Sequence, residues 1–142
     1  MIIKNNIVHD NGGIGIICSL DCFNIMIENN NVYNNTKMGI MFSRNMYDSV
    51  ARNNIVSNEE DGIVISESHD NQIYNNKVLN SGRGIDLDKE SYNNVIYNNA
   101  IRNIPVESDV LHIEEGGVEK NKVYDNDNNK TNASYEEVKS SE

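Results

Sequence analysis

What this sequence has little of already narrows what it can be. No stretch approaches the roughly 18 consecutive apolar residues of a membrane span, and the first 20 residues have no charged start followed by an apolar run. Neither a transmembrane segment nor a signal peptide is expected. Basic residues are scarce, 12 Lys and Arg against 22 Asp and Glu, for a net charge of −10, and they form no cluster. Such a chain repels phosphate backbones, so nucleic acid is set aside as a partner. Apolar residues make up only 37% of the 142 positions, and there is a single proline. That length allows one domain, but a conventional two-layer core would be undersupplied.

What is abundant is asparagine, 27 residues. High polarity and excess charge are also the signature of disorder, yet the apolar residues decide against it. They fall in short β-rich groups such as IIKNNIV, GIICS, GIMFS, GIVIS and NVIYNNAI, separated by Asn, Asp, Gly and Ser. The pattern repeats. Asn6, Asn30, Asn54, Asn76, Asn99 and Asn121 keep a spacing of 22 to 24, and two positions after each comes Val8, Val32, Val56, Val78, Ile101 and Val123. Four positions after come Asp10, Asn34, Asn58, Asn80, Asn103 and Asp125. A second strand recurs at Gly15-Ile16, Gly39-Ile40, Gly62-Ile63 and Gly84-Ile85, with Asp109-Val110 in the fifth copy.

Leucine-rich repeats need leucines that this chain lacks, and helical solenoids need a 3.6-residue period that is missing. The reading is an all-β, right-handed, single-stranded parallel β-helix of five to six rungs of 22–24 residues over residues 1–125, followed by a polar flexible tail over 126–142. Alternation puts Ile16, Ile40, Ile63 and Ile85 inside, with Cys18, Phe42, Ile65 and Leu87 beside them. Ile17, Met41, Val64 and Asp86 then point outward, and Ser19, Ser43, Ser66 and Asp88 end the strands. Asn ladders occupy the bends, because Asn tolerates left-handed dihedrals and its amide can bond the next rung. Met1 is followed at once by a rung strand with no cap over the core. Either upstream rungs are missing from this chain or it self-associates at that N-terminal edge.

Few residues suggest chemistry. His9 and His69 fall in turns and His112 in the column of Cys18, Phe42, Ile65 and Leu87, and a structural role is read for each. With no HExxH or CxxC, a metal site is not indicated. Cys18 and Cys22, four apart, are either a local disulfide or two small apolar fillers, and the filler reading is preferred. In GIDLD, Asp86 points outward where the other rungs are apolar, and Asp88 ends the strand. These two are the candidate catalytic carboxylates, weighed against plain surface charge. Lys37, Arg44, Arg52 and Arg83 are the candidate substrate-binding cations for an acidic sugar. Tyr33, Tyr47, Tyr74, Tyr92 and Tyr97 could stack on sugar rings or pad strand ends.

The run NIVHDNGGIGIICSLDCFNIMIENNNVYNN, with MGIMFSRNMYDSVARNNIV and GIVISESHDNQIYNNKV, resembles the β-helix repeats of mannuronan C5-epimerases and NosD-type surface proteins across residues 2 to 125. The resemblance implies action outside the cytoplasm on alginate, where H5 of a mannuronate is removed and returned from the opposite face. That family's Asp-Pro-His signature is absent here. Arg83-Gly84-Ile85-Asp86-Leu87-Asp88 is the nearest match in register and keeps only its first Asp, and Asp61 stands just before Gly62.

The first reading is therefore a module associated with an acidic, polyuronate-like polysaccharide, without the catalytic rung. The second is an active epimerase or lyase using Asp86 and Asp88, and the third a non-catalytic NosD-like structural repeat. No cofactor is called for. At net charge −10, Ca²⁺ bridging carboxylates is the alternative to a stripe of Lys and Arg for gripping a polyanion.

Overall fold

The computed structural model describes residues 1–105, 110–117 and 120–128. The chain winds as a parallel β-solenoid, and every described element is a strand. Each of the first five coils contributes one short strand to each of three sheets, and the sixth, among the described residues, to two. Sheet A stacks Ile2–Lys4, Met26–Glu28, Val50–Arg52, Gln72–Tyr74, Val95–Tyr97 and Lys122–Tyr124. Sheet B stacks Ile7–His9, Asn31–Tyr33, Ile55–Ser57, Lys77–Leu79, Ala100–Arg102 and Asp127–Asn128. Sheet C stacks Ile16–Ser19, Met38–Ser43, Asp61–Ser66, Arg83–Leu87 and Leu111–Ile113.

The interior is the set of like-on-like columns that the repeat implies. Ile16, Ile40, Ile63 and Ile85 stand in register in sheet C and are buried, and Leu111 continues the file. Ile27, Ala51, Ile73 and Ile96 do the same in sheet A, and Val32, Val56, Val78 and Ile101 in sheet B. Each fully buried Ile or Val stabilises the fold by about 1.5–3 kcal/mol, so thin layers gain their stability from the stack.

The paired asparagines at the A–B corner divide the work. The first of each pair, Asn5, Asn29, Asn53, Asn75 and Asn98, takes a left-handed φ between 53° and 58° and turns the chain. The second builds the ladder. In Asn30, Asn54, Asn76 and Asn99 both the backbone N–H and the side-chain Nδ2 donate to Oδ1 of the Asn one coil on, at 2.9–3.1 Å. Nδ2 also donates to a strand carbonyl, as Asn54 does to Ile27 O at 3.0 Å. Every buried amide is thus paired, as burial requires.

A glycine column marks the B–C corner. A Cβ on Gly15 would lie 2.6 Å from Val32 Cγ1, and Cβ atoms on Gly39 and Gly62 would overlap the methyls of Val56 and Val78. The repeated Gly-Ile pair is therefore a matter of space against sheet B.

Four expectations need correcting. Asn121 does not continue the A–B ladder: Asn99 bonds to Asn126, 27 positions on, while Asn121 ends a second ladder from Asn71 and Asn94 before sheet A. Val123 and Asp125 move with it, Val123 pairing with Ile96 in sheet A and Asp125 taking the turn position before Asn126. The reason is a longer fifth coil combined with an Asn-x-apolar signature that occurs twice per coil. The same extra residues shift sheet C, where Ile85 pairs with Leu111 and not with Val110. His112 consequently leaves the buried column and stands on the outer face. Cys18 and Cys22 are not free fillers but a disulfide, with Cα atoms 6.2 Å apart. Finally, paired strand extends through Asp127–Asn128, inside the segment read as tail. The rest of that segment, residues 129–142, lies outside the described residues.

Candidate functional site

The outer face of sheet C brings together several of the residues singled out from sequence. Its central column runs Ile17, Met41, Val64, Asp86 and His112, apolar for three coils and then ionisable. Beside it runs Met38, Asp61 and Arg83. Strand pairing therefore sets Arg83 over Asp61 and His112 over Asp86, and the side chains close the contacts.

Nε of Arg83 donates to Oδ1 of Asp61 at 2.8 Å and Nη2 donates to Oδ2 at 3.3 Å, a two-pronged grip. Nη1 of Arg83 lies 3.5 Å from Oδ2 of Asp86, and Nδ1 of His112 lies 2.5 Å from Oδ1 of the same carboxylate. Asp61 is buried at 4% side-chain exposure, whereas Arg83 and His112 are 38% and 30% exposed. Burial pushes the Asp61 carboxyl above its ordinary range, and the Arg83 guanidinium pulls it part of the way back. The buried Asp61 thus anchors a solvent-facing cation beside a carboxylate–imidazole pair. Such a pair can accept and return a proton, and the guanidinium offers fixed positive charge to an anionic ligand.

Asp88 has a different place. Its Oδ2 accepts from Ser66 Oγ at 2.7 Å, its Oδ1 from Ser91 Oγ at 2.8 Å, and both oxygens accept from Glu67 N. The carboxylate closes the turn after sheet C. Of the cations, Lys37 precedes and Arg44 follows the strand Met38–Ser43, so both border sheet C, one and two coils from Asp61 and Arg83. Both are exposed. Arg52 belongs to sheet A, where it pairs with Glu28 at 3.3 Å and donates to Tyr74 OH at 3.0 Å. The tyrosines stack mainly on one another: Phe23, Tyr47, His69 and Tyr92 form one file and Tyr74, Tyr97 and Tyr124 another, with centroids 4.7–5.3 Å apart. Tyr33 lies on His9. Within a file, the ring faces a sugar would need are covered by neighbouring rings.

Sequence reasoning gave no role at this site to two of its members, Asp61, which it placed before Gly62, and His112, which it read as structural. Asp61 could have been found as the one acidic residue before a repeat glycine with an Arg in the same place one coil on. His112 could not, because its register depends on the length of the fifth coil.

A family model described as "Periplasmic copper-binding protein (NosD)" matches residues 1–142. The chain belongs to the NosD family. No curated protein matches it. Among solved structures, the NosD chain is similar to the periplasmic alginate epimerase AlgG, with TM-score 0.69 and 22% identity over 93% of this chain and 37% of that one. It is also similar to the A-module of the Azotobacter vinelandii mannuronan C-5 epimerase AlgE4, with TM-score 0.50 and 16% identity over 90% of this chain and 53% of that one. These likenesses are of fold, and the chain spans about half or less of either structure.

The family's description names copper, and the donors can be set against it. His9, His69 and His112 lie on three different faces, each with Nδ1 against an Asp carboxylate: Asp10 at 2.6 Å, Asp70 at 2.7 Å and Asp86 at 2.5 Å. Among the described residues no three His, Cys, Asp or Glu side chains converge as a metal-holding group. An imidazole-based site for Cu(II) does not fit. The Cys18 and Cys22 sulfurs are suited to copper, but they are bonded to each other.

Proposed function

We propose that this chain binds an acidic polysaccharide of the polyuronate class across the outer face of sheet C, outside the cytoplasm, as a β-helix module without the Asp-Pro-His rung. The observation that carries this reading is Arg83, held by the buried Asp61 on the outer face of sheet C. A sugar carboxylate would meet Arg83, with Lys37 and Arg44 along the same sheet. Because the chain carries −10 overall, contact depends on this local stripe or on Ca²⁺ shared between carboxylates. The periplasmic description of the family and the alginate epimerases of like fold support the compartment and the ligand class.

A second reading, an epimerase or lyase, is favoured by the contact between His112 and Asp86. In that reading Asp86 and His112 move the C5 proton while Arg83 neutralises the sugar carboxylate, and Asp88 positions the turn.

Titration with polymannuronate, followed by proton exchange in D₂O, separates the two. Salt-sensitive binding that weakens about tenfold in Arg83→Gln, a loss of about 1.4 kcal/mol, without deuterium at C5 is expected of the module. Deuterium at C5 that disappears in Asp86→Asn and His112→Gln selects the enzyme. Equal binding of a neutral dextran, or no binding at all, overturns the proposal.

A further inference from the structure

We infer that Asn11 is a covalent modification site, where the side chain closes on the Gly12 nitrogen, loses ammonia and becomes isoaspartate, and that this change loosens the first B–C corner. The inference is independent of any polysaccharide. Of the 27 asparagines, only Asn11 precedes a glycine. Glycine visits backbone conformations that other residues resist and leaves its own nitrogen unshielded, so that nitrogen can reach the side-chain carbon of the residue before it. A Cβ on Gly12 or Gly13 would meet nothing within 4 Å, and Asn11 and Gly12 are both exposed. Among the described residues Gly12 N donates to no protein acceptor, so no hydrogen bond has to break before it attacks.

Two comparisons within the chain set this position apart. Asn6 holds the corresponding place at the A–B corner, where its N and Nδ2 donate to Asn30 Oδ1 as those of Asn11 donate to Asn35 Oδ1. It is followed by Ile7, whose branched side chain is stiff and crowds the attacking nitrogen. Asp61 and Gly62 are open by sequence to the same ring closure. There the carboxylate is held by Arg83 Nε at 2.8 Å, and Gly62 lies inside the strand Asp61–Ser66. Asn35, the next member of the B–C ladder, is buried and followed by Thr36.

The chemistry balances with water alone. Gly12 N gives up its proton and bonds to Asn11 Cγ, and the Nδ2 group leaves with that proton as ammonia, closing a succinimide ring. Water then opens the ring at one carbonyl to give aspartate or at the other to give isoaspartate. Both products lose the Nδ2 donor that reached Asn35 Oδ1 at 2.8 Å, and both gain a negative charge beside Asp10. Isoaspartate also lengthens the backbone by one carbon. That carbon enters between two fixed points, because Thr36 N donates to Asn11 O at 3.1 Å and Lys37 N to Gly13 O at 3.0 Å.

The test is incubation of the whole chain at mildly alkaline pH, followed by peptide mapping in the mass spectrometer. Isoaspartate is read separately with an isoaspartyl carboxyl methyltransferase and radiolabelled S-adenosylmethionine. A gain of one mass unit and a methyl-accepting isoaspartate should arise at Asn11 before any other asparagine. Gly12→Ala, whose added methyl meets nothing, should fold and lose the product over the same interval. The modified chain, separated by anion exchange, should exchange the Thr36 and Lys37 amide hydrogens faster than the unmodified one. Conversion that begins at another asparagine overturns the inference, as does an Asn11 that persists while a free peptide of residues 9–14 converts. Equal conversion in Gly12→Ala, or unchanged exchange at Thr36 and Lys37, overturns it too.

Discussion

The corner between sheets A and B and the corner between sheets B and C belong to the same coils but are held to different standards. From a central residue of sheet A to its counterpart in sheet B is five positions in every coil, from Ile3 and Val8 through Ile73 and Val78 to Val123 and Asn128. From sheet B to sheet C the span is eight for Val8 to Ile16, seven for Val78 to Ile85 and ten for Ile101 to Leu111. The ladders differ in the same way. Asn6 to Asn126 is asparagine throughout, whereas the B–C ladder runs Asn11, Asn35, Glu59 and Ser81. An amide that donates forward and accepts from behind fixes the height and length of its coil. A carboxyl or a hydroxyl meets only part of that demand, so coil length can drift at the B–C corner. That drift carries His112 onto the outer face above Asp86.

The comparison breaks if the two ladders prove equally costly to cut in one coil. Asn76→Ala would leave Asn54 N and Nδ2 without their acceptor and Ala51 O without its donor, all in the interior. With unsatisfied buried groups at about 1–3 kcal/mol each, a loss of about 4 kcal/mol is expected. Ser81→Ala removes one acceptor for Glu59 N and a donor to Leu79 O, worth about 1 kcal/mol. Urea unfolding midpoints of the two variants decide the matter. Equal losses would mean that the amides do not set coil length.

Gly62→Ala sharpens the same contrast and falls between these values. Its Cβ would overlap Val78 and lie 2.6 Å from Gly84 O, so overpacking of about 3 kcal/mol is expected. In the fifth coil the longer corner admits Val110, fully buried, at the position following Gly84 in the stack. Val110→Gly should therefore cost stability through a cavity of about 2 kcal/mol, where a strict glycine column would predict a gain. Thermal unfolding of both variants provides the measurement.

The regular part of this fold was legible because period and burial coincide. Ile16, Ile40, Ile63 and Ile85 share a strand position and a corner length that changes by only one residue, so counting finds them. Counting fails at Asn121, because the same short signature opens sheets A and B and a longer coil exchanges one for the other. Asp86 was legible as an outward carboxylate in an apolar column. Its partner was not, since three extra residues between Ile101 and Leu111 separate a buried His112 from an exposed one. Asp88 was recognisable as a strand end, but its serine and backbone donors come from turns whose closure no local pattern announces. The Cys18–Cys22 bond depends likewise on two left-handed residues, neither of them glycine.

Glu59 offers the smallest and most discriminating test of the corner comparison. It is 5% exposed, with Oε1 accepting from Asn35 Nδ2 at 2.8 Å and Oε2 without a protein partner. Burial raises its carboxyl above the ordinary value, and the Asn35 hydrogen bond offsets only part of this. A group with a raised folded-state value stabilises the fold fully below its unfolded value, and that contribution is lost as pH rises through the folded one. At neutral pH the ionised Glu59 therefore weakens the B–C corner. Glu59→Gln keeps the acceptor for Asn35 and removes the charge, so it should unfold at higher urea than the wild type at pH 7. The gap should close as pH falls through the carboxylate range, where the wild type regains its proton. A pH-independent difference would place the effect in packing, and a less stable variant at pH 7 would show that the ladder prefers the carboxylate at this position.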